Sequence, residues 1–267
     1  MTQESDRERD LAFANELADL AARVTLAGFG GRIQTELKHD ATPVTALDGA
    51  AEAAIRSAVE KRFPNDGFQG EEHGQSAGNN GRTWIVDPID GTRMFAEGIP
   101  LWTTLIALQE GDRVVVAVAD APALGNRYHA VTGTGAYRDG NLISVSDVST
   151  LSDAFVLHAP LEEFNKGIGV LALQAVITKA RASSGIGDAW AHLLIASGSA
   201  DVLVEQGPCF PWDWSATSLI VAEAGGSLTQ LDGTDPVPGC HLLVTNRKLA
   251  DEVQSALYAA GSGHRGG

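Results

Sequence analysis

Residues 84–92, WIVDPIDGT, are the stretch on which the reading of this chain turns. Trp84-Ile85-Val86 is apolar and suited to a pleated sheet, and predicts a short buried strand. Asp87 arrives at its end, where Pro88 is expected to turn the chain. Asp90, three residues on, then returns beside Asp87, so two carboxylates share one small space. Such groups repel and raise each other's pKa. A hard divalent cation with oxygen ligands resolves the conflict, and Mg²⁺ typically takes a few protein carboxylates together with water and phosphate. Gly91 lets a ligand approach the backbone, and the Gly91 and Thr92 amides suit an anionic oxygen at a helix start. Met alone, the string is equally an Asp-rich β-turn.

Before this stretch, Leu11, Ala14, Leu17, Ala18, Ala21 and Val24 recur at three- and four-residue spacing and predict a helix over 6–29. The glycines at 28, 30 and 31 end it. A second helix is predicted over 48–62, stopped by Phe63-Pro64-Asn65. After it, 101–145 holds short β-rich runs, including 103–108 and 114–119. Glu110-Gly111-Asp112, Leu124-Gly125-Asn126 and Arg138-Asp139-Gly140-Asn141 separate them with hairpin chemistry. This part reads as α+β, helices on a largely antiparallel sheet. Beyond it, strands at 154–158, 201–205 and 241–245 alternate with helices at 167–178, 188–197, 213–224 and from Lys248. That alternation marks an α/β unit. A soft division near Thr150 separates a first part, 1–150, bearing most of the candidate ligands, from a second, 151–267. The Gly-rich tail, 261–267, reads as frayed.

The 267 residues carry 34 acidic and 19 basic side chains, a net charge of −15. Nucleic acid and anionic membranes need a basic footprint, so neither is expected as a partner. An acidic protein that handles a phosphate needs cations to bridge the repulsion. No apolar run approaches the roughly 18 residues of a membrane span, and the first ten residues lack the apolar stretch of a secretory signal. Cys209 and Cys240 supply neither a disulfide framework nor a CxxC zinc pair. A soluble cytoplasmic protein is the expectation.

Further segments offer carboxylates. GEE, 70–72, follows the second helix and also suits a solvated loop. WDWSATSLIVAEAGG, 212–226, puts Asp213 where an N-cap belongs, and KHDATPVTALD, 38–48, leads to Asp48, which also suits a cap. No Cys or His nucleophile motif is present, so no phospho-enzyme is expected, and the seven histidines read as surface or packing residues.

In this order, KHDATPVTALD, GEE, WIVDPIDGT and WDWSATSLIVAEAGG resemble the inositol monophosphatase-like superfamily of metal-dependent phosphatases. The resemblance runs from about Lys38 to Gly226 and implies a layered α-β-α-β-α sandwich of the inositol monophosphatase and sugar phosphatase type, usually a homodimer. It implies two or three Mg²⁺ ions per active site. Glu71 would ligate the activating metal and contribute to a third site. Asp87 would bridge two metals, the Ile89 carbonyl would complete the first site, and Asp90 and Asp213 would hold the second. Asp48 and Thr92 would orient the attacking water, with Glu71 joining them in catalysis, while the Gly91 and Thr92 amides bind phosphate. Asp90, Asp188, Ala189 and Glu205 would contact the substrate, a small phosphorylated metabolite. Two departures stand out. Leu47 replaces the small residue or Thr common before the Asp, and Cys209-Phe210-Pro211 lengthens the link from Glu205 to Trp212-Asp213 by about a residue.

Within the superfamily, GIPLWTTLIALQEGDRVVVAVADAPALGNRYHA, 98–130, and GIGDAWAHLLIASGSADVLVE, 185–205, most resemble the histidinol-phosphatase branch, of histidine biosynthesis. Trp102 and Trp190 within them also suit a core, and Asp188 also suits a helix cap. An inositol-1-monophosphatase or a related sugar or nucleotide phosphatase, such as one for phosphoadenosine phosphate, is the alternative. A catalytically silent metal-binding protein would require a lost ligand, and none is lost.

Overall fold

A computed structural model describes residues 3–30, 33, 35–37, 43–166 and 168–261. Lys38, His39, Asp40, Ala41 and Thr42 of the KHDATPVTALD stretch, and the tail beyond residue 261, lie outside the described residues. The chain runs α1 (Gln3–Gly28), β1 (Glu36–Leu37), β2 (Pro43–Val44), α2 (Ala46–Arg62), β3 (Gly67–Gly70), β4 (Gln75–Ser76), β5 (Arg82–Asp90) and α3 (Thr92–Ala96). It continues through β6 (Thr103–Glu110), β7 (Arg113–Ala121), β8 (Asn126–Val131), β9 (Ala136–Arg138), β10 (Asn141–Ile143), β11 (Phe155–His158), α4 (Val170–Ile177) and β12 (Ala182–Ser184). Then come α5 (Asp188–Ala196), β13 (Val202–Cys209), α6 (Pro211–Glu223), β14 (Ser227–Gln230), β15 (Cys240–Thr245) and α7 (Ala250–Gly261). Two compact units result. One joins Met1–Asn141 with Trp212–Ile220, and the other joins Leu142–Pro211 with Val221–Gly267. The grouping is not sequential: the Asp213 segment, late in the chain, belongs with the first unit.

The first unit is built on an eight-stranded sheet of order β10-β9-β8-β7-β6-β5-β3-β4. Alternate residues of its strands, Trp84 and Val86, Ile106 and Leu108, Val116 and Val118, bury one face against Phe13, Leu17 and Ala21 of α1 and Ile55 and Val59 of α2. Period-two patterning on the strands thus meets period-3.6 patterning on the helices. Trp84 lies edge-on to Phe13, and its indole N–H donates to Asp66 at 2.9 Å, so the large ring is buried with its polar atom satisfied. β5 sits between β6, antiparallel, and β3, parallel. That parallel neighbour, four residues long, is not anticipated by the sequence reading.

β5 also corrects that reading. The chain does not turn at Pro88: the strand runs nine residues, from Arg82 to Asp90. Pro88 is tolerated because pairing with β6 is irregular there, between Asp87 and Asp90.

The second unit has a five-stranded sheet of order β12-β11-β13-β15-β14, parallel around β11 and antiparallel from β13 onward. Val156, Val202, Val204 and Leu243 pack with Leu173 and Val176 of α4 and Val253 and Leu257 of α7. Among the described residues no helix is long and apolar enough to cross a membrane.

Candidate active site

The irregularity in β5 brings the two aspartates together. Asp87 stands opposite Leu105 and Asp90 opposite Thr103, so three steps along β5 match two along β6. In a regular strand, residues three apart point to opposite faces. The extra residue is a bulge, and it returns Asp90 to the face of Asp87. Both polar ends of the bulge are tied down. The Ile89 N–H donates to Asp87 Oδ1 at 2.9 Å, and the Thr104 hydroxyl donates to the Pro88 carbonyl at 2.8 Å. The Thr103 hydroxyl reaches Asp90 Oδ2 at 3.3 Å. Gly91 then leaves the strand with φ +83° and opens α3, a left-handed conformation that costs glycine little. Ile89 itself is fully buried, packed with Phe95 and Trp102, so Trp102 is a core aromatic.

Asp213 completes the cluster. It does not cap its helix, as the sequence suggests: α6 starts at Pro211, which puts Asp213 in the first turn. Asp87, Asp90 and Asp213 each bring a carboxylate oxygen within 4.8 Å of the others. Asp87 is buried, and its pKa is pushed well above the usual carboxylate range, first by burial and then by Glu71, Asp90, Asp213 and Asp48. Such a set of oxygen donors, mutually repulsive and partly desolvated, suits a hard divalent cation. Glu71, half-buried in the turn after β3, stands outside the trio, yet it is the carboxylate that presses hardest on Asp87.

Asp48 has two attachments. Thr45 caps α2, and Asp48 returns one oxygen, Oδ2, to the Thr45 N–H at 2.9 Å and hydroxyl at 2.5 Å, a capping box. Its other oxygen, Oδ1, faces the Thr92 hydroxyl at 3.2 Å. That hydroxyl also lies 2.9 Å from the Ile89 carbonyl. Burial raises the Asp48 pKa, while the hydrogen bonds from Thr45 and Thr92 oppose the rise. Thr45 and Thr92 therefore engage different oxygens of one carboxylate. A residue that the sequence reading missed is Glu52, one turn beyond Asp48 on α2 and fully buried. Its signal was the four-residue spacing, which puts both acids on one helix face.

In the second unit, Asp188 is the first residue of α5, but the cap position belongs to Gly187, with no side-chain capping bond. Asp188 has φ +58°, a region uncommon outside glycine and best tolerated by Asn and Asp. The adjacent Ala189 is buried. Glu205, on β13, is nearly buried, and a Cβ at Gly187 would stand 3.1 Å from its Oε1, so backbone rather than side chain lies against this carboxylate. His192 Nε2 is 3.8 Å from Glu205 Oε2. Burial keeps this imidazole neutral, its pKa pushed down to about 3, so the contact is not an ion pair. The residues after Glu205 do not form a separate link but continue β13 as far as Cys209. Between Glu205 and Cys209, four steps of β13 stand against two of β15, from Leu242 to Cys240. Trp190 is buried on α5.

Comparison with known proteins agrees with this geometry. The profile of the inositol monophosphatase family matches residues 6–261. A histidinol-phosphatase of Streptomyces coelicolor is 40% identical over 91% of this chain and 95% of its own. Another, of Mycobacterium tuberculosis, is 39% identical over 94% of this chain and 98% of its own. Among solved structures, an inositol monophosphatase from Zymomonas mobilis superposes with a TM-score of 0.84 at 29% identity, over 94% of this chain and 98% of that one.

Proposed function

The chain belongs to the inositol monophosphatase family of metal-dependent phosphomonoesterases, and from that premise we propose that it hydrolyses L-histidinol phosphate to L-histidinol and phosphate, in histidine biosynthesis. The observation that most supports this substrate is the 39–40% identity to two proteins named histidinol-phosphatases, each spanning nearly the whole chain. The mixed α/β fold with two sheets is that of the family.

Two or three Mg²⁺ ions are assigned to Glu71, Asp87, the Ile89 carbonyl, Asp90 and Asp213. When bound, they supply an activated water and offset charge on the phosphoryl and leaving oxygens. The chain's own groups do the rest. Thr92 and Asp48, in hydrogen-bond contact, orient the attacking water, with the buried Asp48 carboxylate as the group that can take its proton. Glu71 assists in that catalytic set, and the amides of Gly91 and Thr92 bind the phosphate. Asp90, Asp188, Ala189 and Glu205 contact the leaving group. Histidinol carries an ammonium and an imidazole that is partly cationic near neutral pH, whereas inositol is a neutral polyol. Carboxylates favour the cation by Coulomb attraction and charge-assisted hydrogen bonds. The enzyme works as a cytoplasmic homodimer. The test is an assay of purified protein with Mg²⁺ against histidinol phosphate, inositol phosphate, fructose bisphosphate and phosphoadenosine phosphate, with histidinol phosphate expected to give the highest kcat/KM.

A further inference from the structure

The Gly70-Glu71-Glu72 turn is wrapped around a buried carboxylate from another element. Glu52 is fully buried and accepts the Glu72 N–H at 2.7 Å and the His73 N–H at 2.9 Å. The His73 ring Nδ1 lies 3.1 Å from the same carboxylate. A Cβ at Gly70 would stand 2.3 Å from the Glu52 carboxyl carbon, so only glycine admits the turn this close. Arg56, one turn further along α2, is 3.5 Å from Glu52 and donates to the Gly74 carbonyl at 2.7 Å. Its guanidinium is held over the Phe68 ring, 4.3 Å from the centroid. Glu71 therefore sits between Gly70 and Glu72, two residues whose backbones are both pressed onto Glu52.

We propose that Glu52 is a positioning residue: its carboxylate fixes the backbone on either side of Glu71 and so presents the Glu71 side chain to the metal. This rests on the assignment of Glu71 as a metal ligand. The reasoning is geometric. Two short charge-assisted hydrogen bonds to successive amides define the path of a turn that has no regular structure of its own. Because Asp48 and Glu52 lie one turn apart on α2, the helix also sets the Glu71 turn and the Asp48–Thr92 pair in a common frame. Partners that orient metal ligands typically contribute about 10- to 100-fold in metal affinity.

The experiment is a double-mutant cycle read by calorimetric titration of the substrate-free protein with Mg²⁺, using wild type, Glu52→Gln, Glu71→Gln and the double variant. A glutamine at 52 keeps the shape but offers only one acceptor oxygen and turns an NH₂ group toward one of the amides. The expected result is a rise in Kd of about 10- to 100-fold for Glu52→Gln. The double variant should bind no more weakly than Glu71→Gln alone, because both act through the same side chain. In turnover, Glu52→Gln should recover most of its kcat at saturating Mg²⁺, which a general loss of structure does not permit. Wild-type affinity in Glu52→Gln, or losses that multiply in the double variant, would overturn the inference while leaving the ligand assignment standing. Unchanged affinity in Glu71→Gln would instead overturn the assignment, and the inference with it. Should Glu52→Gln not fold, Glu52→Asp keeps the charge but withdraws it by one methylene. The same cycle run on that variant decides the question.

Discussion

At the scale of single residues, the carboxylate cluster makes the sharpest demands. Asp90→Asn or Asp213→Asn should lower kcat at least about a hundredfold, since a metal contribution is worth several kcal/mol; steady-state assays at saturating Mg²⁺ check this. Asp188→Asn or Glu205→Gln should cost about tenfold to a hundredfold in kcat/KM with histidinol phosphate, from the loss of a charged hydrogen bond of roughly 1.5–3 kcal/mol. The loss should be much smaller with a small neutral monoester, and equal losses on both substrates would assign these residues to the fold or the metals. His192 makes a separate prediction about stability. The folded protein holds it neutral, with a pKa near 3 against 6.5 for the free side chain. The unfolded chain therefore takes up a proton between those values and the folded chain does not. Stability from this group is complete above pH 6.5 and is lost as pH falls toward 3, at up to about 1.4 kcal/mol per pH unit. Urea denaturation across that range should show a shallower acid slope in His192→Gln than in wild type, and identical slopes would contradict the assignment. The convergence of Asp87 and Asp90 was legible in the sequence, but its cause was not. A proline after a short apolar strand suggested a turn, whereas pairing with β6 carries the strand on through a bulge. The burial of Glu52 is not legible in the sequence, because one more acid on an amphipathic helix looks like solvated surface until the turn that buries it is in place.

At the scale of elements, the β5–α3 junction depends on Gly91 and its φ of +83°. Gly91→Ala forces a Cβ into the left-handed region, at a cost of about 1–2 kcal/mol. The melting temperature should fall by several degrees, with a loss of phosphatase activity, because the aspartate on one side of the junction and Thr92 on the other both shift. An unchanged melting temperature would show that the junction relaxes freely. The long helices and the hairpin strands β6 to β8 were legible because each repeats its own period over many residues. The strands β3, β12 and β14 were not, since a run of three or four residues has no measurable period and owes its conformation to the neighbour it pairs with. For the same reason β13 extends beyond the expected 201–205 to Cys209: β15 stands opposite to receive it.

At the scale of the molecule, the helix-on-sheet first unit and the alternating second unit both follow from patterning that the sequence displays. The return of Trp212–Ile220 to the first unit does not, since nothing local says where a late helix will dock. With that segment in the first unit, Asp213 stands beside Asp87 and Asp90. Asp87, Asp90 and Asp213 gathered in one place, in a chain of net charge −15, repel a phosphate unless cations stand between them. Assembly is checked by light scattering at micromolar concentration, where a dimer of the 27.9 kDa chain is expected and a monomer mass would refute it. The most direct test of the central claim is a comparison of kcat/KM for histidinol phosphate and inositol phosphate on one preparation, after chelation and after Mg²⁺ is returned. Loss of all turnover in chelator, recovery with Mg²⁺ and a preference for histidinol phosphate are predicted. Full activity in chelator, or a preference for inositol phosphate, would contradict it.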